Sequence, residues 1–266
     1  MKIGIFDSGL GGLILAKAII KKLPKYNYVY LGDTKNLPYG EKSPGQIYQH
    51  TKSAVDFLFK QNCELIIIAC NTASAWALRK IQQKYLLKSY PNRRVLGVII
   101  PTLEEADDNH RRKKIGVIGT TATIKSHIYK KELIKLDKQA KIIELATPSL
   151  VPLIEQNSLQ KAKKTLQLYL KPLQKQRIEA LILGCTHYPI LKKACNQVVG
   201  EKVAVISQDE IIPNKLASYL NRHPEMAEKL SKNNKREFWV TSKSKNFDAV
   251  VERLFGKKIK FQLAKY

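Results

Sequence analysis

The chain has 266 residues, 44% hydrophobic and 26% charged, and its 47 Lys and Arg against 22 Asp and Glu leave a formal net charge of +25. That length gives a prior of about two domains at roughly 150 residues each, ample for a core that needs no disulfide or metal staple. The composition excludes a disordered or collagen-like chain, and the charge attracts anions, acidic substrates, nucleic acid and anionic lipid without naming any of them.

Residues 3–6 form a short apolar strand ending in Asp7-Ser8-Gly9, and helical periodicity follows over 13–23. A second strand over 27–31 closes with Gly32-Asp33-Thr34 and a loop through Pro38-Tyr39-Gly40. Ser43-Pro44 reads as a helix start, N-cap then proline at the first helical position, with Ile47, Thr51, Ala54 and Leu58 on one face. The run over 64–69 is almost wholly apolar, as a parallel strand covered on both faces requires. A helix over 72–85 and a strand over 95–100 come next. Strands alternating with helices of this length are βαβ units, so the expected class is α/β with mainly parallel sheets.

The pattern then repeats. Ile3-Gly4-Ile5-Phe6 is echoed by Ile115-Gly116-Val117-Ile118, and Val29-Tyr30-Leu31-Gly32-Asp33-Thr34 loosely by Ile142-Ile143-Glu144-Leu145-Ala146-Thr147. Ile67-Ile68-Ala69-Cys70-Asn71-Thr72 is echoed by Ile182-Leu183-Gly184-Cys185-Thr186-His187. Three strands in one order at nearly constant offsets imply two related, pseudo-symmetric α/β domains: 1–97 with a C-terminal return over 209–266, and 98–208. Ligands bind beyond the carboxyl ends of such strands. Cys70 and Cys185 end equivalent strands, so a pseudo-two-fold axis brings two thiols to one cleft from opposite sides, and Asp7-Ser8 and Thr120-Thr121 open onto it. Two acid/base groups on opposite faces of a small ligand fit racemisation or epimerisation.

No apolar run approaches the ~20 residues that span a bilayer, and Asp7 interrupts the N-terminal run where a signal peptide would continue. Cys63, Cys70, Cys185 and Cys195 form no C-x-x-C pair, so no zinc knuckle or dithiol couple is expected. Free thiols without an export signal read as a reduced, cytoplasmic protein. Gly11-Gly12 lacks the spacing and lysine of a phosphate loop. Cys63 and Cys195 lack the polar context of the other two and are expected to be structural.

The sequence resembles the cofactor-independent glutamate racemases along nearly its whole length. The resemblance is carried by Asp7-Ser8-Gly9-Leu10-Gly11-Gly12, Gly32-Asp33-Thr34 with Pro38-Tyr39-Gly40, and Cys70-Asn71-Thr72-Ala73-Ser74. It continues through Gly119-Thr120-Thr121-Ala122-Thr123-Ile124 with Ser126 and Tyr129, Val151-Pro152-Leu153-Ile154-Glu155, and Gly184-Cys185-Thr186-His187-Tyr188-Pro189. The resemblance implies that Cys70 and Cys185 are the proton-transfer groups, Asp7 assisting the first and His187 the second. It implies that Ser8, Tyr39, Gly40, Asn71, Thr72, Thr120, Thr123 and Thr186 hold L- or D-glutamate, that no cofactor or metal takes part, and that the product serves peptidoglycan synthesis. Ile206-Ser207-Gln208-Asp209 departs from the family's usual Asp-Ser or Asp-Pro turn.

The chemistry must work independently of the resemblance. An amino-acid α-proton is far less acidic than a thiol, and every ten units of that gap represent roughly 14 kcal/mol. Without a pyridoxal electron sink, hydroxyl and backbone donors in a water-poor site must supply the stabilisation. Both cysteines are expected at strand-to-helix turns, where a helix N-terminus, or His187, lowers a thiol pKa from near ~8.5. A second enzymatic reading keeps the thiol pair but racemises aspartate or another small substrate. The reading from a different class is nucleic-acid binding, argued from Arg111-Arg112-Lys113-Lys114, Lys257-Lys258, and eleven basic against three acidic residues over 229–266. No zinc module, RNP-type aromatic sheet or basic zipper accompanies them, so any such binding is expected to be weak, nonspecific and salt-sensitive. The oligomeric state stays open, a homodimer included.

Overall fold

Apolar strands between amphipathic helices have only one another to pack against, and here they close into two parallel sheets. The computed structural model describes residues 1–108 and 114–266. The strands are β1 (Lys2–Asp7), β2 (Tyr28–Gly32), β3 (Cys63–Ile68), β4 (Arg94–Gly97), β5 (Lys114–Gly119), β6 (Lys141–Ala146), β7 (Ala180–Gly184), β8 (Ala204–Ile206), β9 (Arg236–Val240) and β10 (Gln262–Leu263). They form one sheet in the order β10-β9-β2-β1-β3-β4 and another in the order β6-β5-β7-β8. Every pairing is parallel. The order β2-β1-β3-β4 thus recurs as β6-β5-β7-β8, the arrangement that the repeated strand motifs require. Only the first sheet is extended, by β9 and β10 from the C-terminal part of the chain.

Both faces of each sheet are covered, which is why the central strands are apolar throughout rather than alternating. Ile3 and Ile5 of β1 pack with helices Gly12–Lys22, Gln208–Arg222 and Phe247–Phe255 on one side. Phe6, on the other side, packs with Ile47, Ala54 and Leu58 of helix Pro44–Lys60. In the second sheet, Leu181 and Leu183 face helix Leu159–Lys175, while Ile115, Val117 and Ile182 face Leu103 and Ala106 of helix Ile99–Asp108. Cys63 and Cys195 are buried inside these layers.

Two elements differ from the sequence expectation. The helix expected over 72–85 is α-helical only at Asn71–Trp76 and Leu78–Lys80 and continues as a π-helical turn over Ile81–Leu86. Ile81 and Leu86 are both buried, and residues five apart share a face on a π-turn but not on an α-helix. The strand expected over 95–100 stops at Gly97, and Ile99 and Ile100 open helix Ile99–Asp108. A short apolar run does not distinguish strand from helix, and Pro101 is tolerated there because it falls in the first helical turn. Of the basic cluster over 111–114, Arg111, Arg112 and Lys113 lie outside the described residues.

The start of helix Pro44–Lys60 matches its sequence signal in atomic detail. Gln46 N donates to Ser43 Oγ at 3.3 Å, and the Ser43 backbone N–H donates to Gln46 Oε1 at 3.1 Å, a capping box ahead of Pro44. Ser43→Ala leaves one of these donors unpaired and is expected to lower stability by about 1 kcal/mol. A shifted urea midpoint at unchanged slope is the measurement that checks it.

Candidate active site

A parallel sheet presents its strand ends along one edge, and the two sheets turn those edges toward each other. β1 ends at Asp7, and Ser8 follows; β3 is followed by Cys70, β5 by Thr120, and β7 by Cys185. One cleft is lined by Ser8, Tyr39, Gly40, Cys70, Asn71, Thr72, Thr120, Cys185, Thr186 and His187, so ten of the twelve expected site residues line one space. Asp7 and Thr123 stand behind the lining, wholly buried. None of the described residues lining the cleft is Lys or Arg. Among the described residues, no group of three His, Cys, Asp or Glu side chains converges as metal ligands would.

Cys70 is the N-cap of helix Asn71–Trp76, its sulfur accepting from the Ala73 backbone N–H at 3.4 Å. Ser8 Oγ lies 3.2 Å from the same sulfur. These surroundings are expected from the sequence to lower the thiol pKa, but in the cleft it is pushed up to about 12. Burial is the main cause and the nearby Asp7 carboxylate adds to it; the bonds from Ser8 and Ala73 oppose both and lose. At Cys185, unlike Cys70, the expected helix N-terminus is absent, and a turn and the short 3₁₀ segment Tyr188–Leu191 follow.

Cys185 has a cation instead. Its sulfur lies 3.9 Å from His187 Nδ1, and His187 Nε2 lies 3.0 Å from Glu155 Oε1. Burial alone would lower the histidine pKa, but its bonds to Cys185 and Glu155 outweigh burial and raise it to about 10. The imidazole is therefore charged at neutral pH, beside one thiol only.

Asp7 lies beneath both cysteines' loops. Its Oδ2 accepts from the Gly9 and Gly12 N–H groups at 3.1 and 3.0 Å, and its Oδ1 accepts from Thr186 Oγ1 at 3.2 Å. Burial still raises its pKa above the ordinary carboxylate value, despite His187 and these three donors. Gly11 and Gly12, which make no phosphate loop, have another use. A Cβ at Gly11 would fall 2.5 Å from His187 Nδ1, and one at Gly12 would collide with Asp7. Across the cleft, the hydroxyls of Thr72, Thr120 and Thr123 form a triangle with sides of 2.9 to 3.0 Å. The Tyr39 hydroxyl is committed to Asp33 at 2.7 Å, so toward the cleft that residue offers its backbone and ring.

The sequence of the Asp/Glu/hydantoin racemase family matches residues 14–211. The glutamate racemase of Aquifex pyrophilus is 38% identical over 266 residues, covering 99% of this chain and 98% of that one. The chain belongs to this family. It is an isomerase of the amino-acid racemase class. A glutamate racemase isoform of Bacillus anthracis superposes with a TM-score of 0.89 at 34% identity, covering 99% of this chain and 97% of its own. The glutamate racemase of Francisella tularensis, solved in complex with D-glutamate, superposes with a TM-score of 0.88 at 30% identity and the same coverage. Such agreement over both sheets means that the racemase shares the two-domain architecture of these enzymes.

Sequence reasoning gave no role to Glu155, Tyr129 or Gln208. Glu155 and Tyr129 lie within the motifs that carry the resemblance, but nothing local links Glu155 to a histidine 32 positions away. A histidine held charged by a partner stabilises the fold fully below its ordinary pKa of 6.5, and that contribution is lost as pH rises through about 10. Glu155→Gln removes the carboxylate and is expected to bring the His187 titration, and the alkaline limb of racemase activity, down by about one pH unit or more. An imidazole NMR titration read beside the pH–rate profile checks both.

Proposed function

We propose that this racemase interconverts L- and D-glutamate without a cofactor, by proton transfer between Cys70 and Cys185. The observation that carries the reading is that two buried thiols, each beyond the end of the equivalent strand of its own sheet, line one cleft. In the direction from L to D, the Cys185 thiolate takes the α-proton and becomes a thiol. The carbanion then takes a proton from the Cys70 thiol on the opposite face, leaving Cys70 as thiolate. The reverse direction exchanges the roles.

The electrostatics support this division. Burial holds Cys70 as a thiol, ready to donate, while the His187 imidazolium lies beside the Cys185 sulfur at 3.9 Å. Asp7 aids proton traffic on the Cys70 side and His187 on the other. Ser8, Tyr39, Gly40, Asn71, Thr72, Thr120, Thr123 and Thr186 hold the amino acid or support the groups that do, with hydroxyls and backbone N–H groups where charge develops. The relatives named above, one of them solved with D-glutamate, support glutamate over aspartate as substrate. We further propose the domain division 1–97 with 209–266 and 98–208, and a role in the cytoplasm supplying D-glutamate for peptidoglycan. No helix among the described residues is long and apolar enough to cross a membrane.

Either Cys70→Ala or Cys185→Ala is expected to abolish inversion. Each leaves one thiol able to exchange the α-hydrogen of a single enantiomer in deuterated water: Cys70→Ala that of L-glutamate, and Cys185→Ala that of D-glutamate. Cys63→Ala and Cys195→Ala should racemise nearly normally. Substantial racemisation by either cleft variant, or labelling of the same enantiomer by both, would overturn the two-thiol mechanism. Activity is also expected to survive exhaustive dialysis against chelator with no pyridoxal absorbance. Restoration of a lost rate by metal or pyridoxal phosphate would count against it.

A further inference from the structure

Gln208 opens helix Gln208–Arg222 in the run that departs from the family's usual turn, and only 3% of it is exposed. A buried primary amide must place two donors and an acceptor. Gln208 meets this demand on Asn71, with its remaining donor directed to the Tyr129 hydroxyl. Asn71 Nδ2 donates to Gln208 Oε1 at 2.8 Å, and Gln208 Nε2 donates to Asn71 Oδ1 at 2.9 Å. The Tyr129 hydroxyl donates to the same Asn71 oxygen at 2.7 Å and lies 3.3 Å from Gln208 Nε2. Turning the Asn71 amide over alone would set donor against donor and acceptor against acceptor, so the orientation of the Asn71 amide follows that of Gln208.

The consequence concerns the cleft. One N–H of Asn71 Nδ2 is bonded to Gln208; the second has no partner among the described residues, on a residue that lines the cleft beside Cys70. Gln208 itself does not line it. Asn71 follows β3 of the first sheet, Tyr129 belongs to the second half, and Gln208 follows β8 of the second sheet. We propose that Gln208 is a positioning residue: its amide holds that of Asn71 in the one orientation that offers an N–H to the carboxylate of a bound amino acid, and thereby sets substrate affinity. The proposal rests on the racemase reading of the cleft.

Gln208→Leu keeps volume and burial but removes the amide, and Gln208→Met serves if that variant does not fold. The expected result is a KM for both enantiomers raised about tenfold, with kcat changed less than about threefold. In an Asn71→Ala background the same substitution should add nothing, because the group through which Gln208 acts is gone. A folded Gln208→Leu with wild-type KM, or one that raises KM by the same factor with and without Asn71, overturns the proposal. A purely structural role would give that second, additive pattern. Wild-type protein run in parallel separates the two readings, since an inactive wild type counts against glutamate racemisation, not against Gln208. Glutamate affinity measured by calorimetry across the same four proteins tests the coupling independently of turnover.

Discussion

A carboxylate without exposed surface has to find its hydrogen bonds inside the protein, because an unpaired buried charge costs several kcal/mol. Asp7 finds two of them in its own half, at Gly9 and Gly12, and the third in the other half, at Thr186. That requirement ties the loop after β1 to the loop after β7, and the two loops carry Ser8 and Cys185. The threonine triangle and the Asn71–Gln208 pair extend the same logic round the cleft. In each, polar groups from different halves satisfy one another where water is scarce. Polar satisfaction between the halves thus adds to the apolar contacts, such as Ala122 against the core of the first sheet, that also join them.

The two thiols are equivalent in topology but not in electrostatics. Cys70 has a carboxylate and neutral donors near it, whereas Cys185 has a charged imidazole held by Glu155. A repeated fold therefore supplies the symmetry of position, and the residues added to each copy supply the difference. The +25 charge plays no visible part in this, since the lining residues include neither Lys nor Arg. Basic groups cover the outside, and the cleft relies on local dipoles and on one histidine.

What the sequence made legible was whatever rests on local pattern. Ser43-Pro44 marks a helix start because a cap is a contact across three residues. Apolar runs mark strands because parallel sheets bury both faces, and the Cys-Asn-Thr and Cys-Thr-His ends mark the cleft because a strand end fixes its successor. Less legible were the features set by partners distant in the chain. Glu155 is an ordinary acidic residue until the fold brings it to His187. Gln208 reads as an irregular turn until its amide meets Asn71. The rise of the Cys70 pKa depends on depth of burial and on Asp7, neither of which a helix N-terminus beside a cysteine reveals. The π-turn over Ile81–Leu86 likewise follows from which side chains the core accepts.

Gly11 belongs to the first half and His187 to the second, and a Cβ at Gly11 would sit 2.5 Å from the imidazole ring. The meeting surface there is bare backbone against an aromatic ring that is itself held between Cys185 and Glu155. Side chains yield by changing rotamer; a peptide chain and a clamped ring have almost no such freedom. Any side chain at this point would therefore have to displace the ring or hold the two halves apart. Because that ring also faces the Cys185 sulfur, the missing side chain of Gly11 sets the spacing between the halves and the placement of the imidazole beside the thiol together.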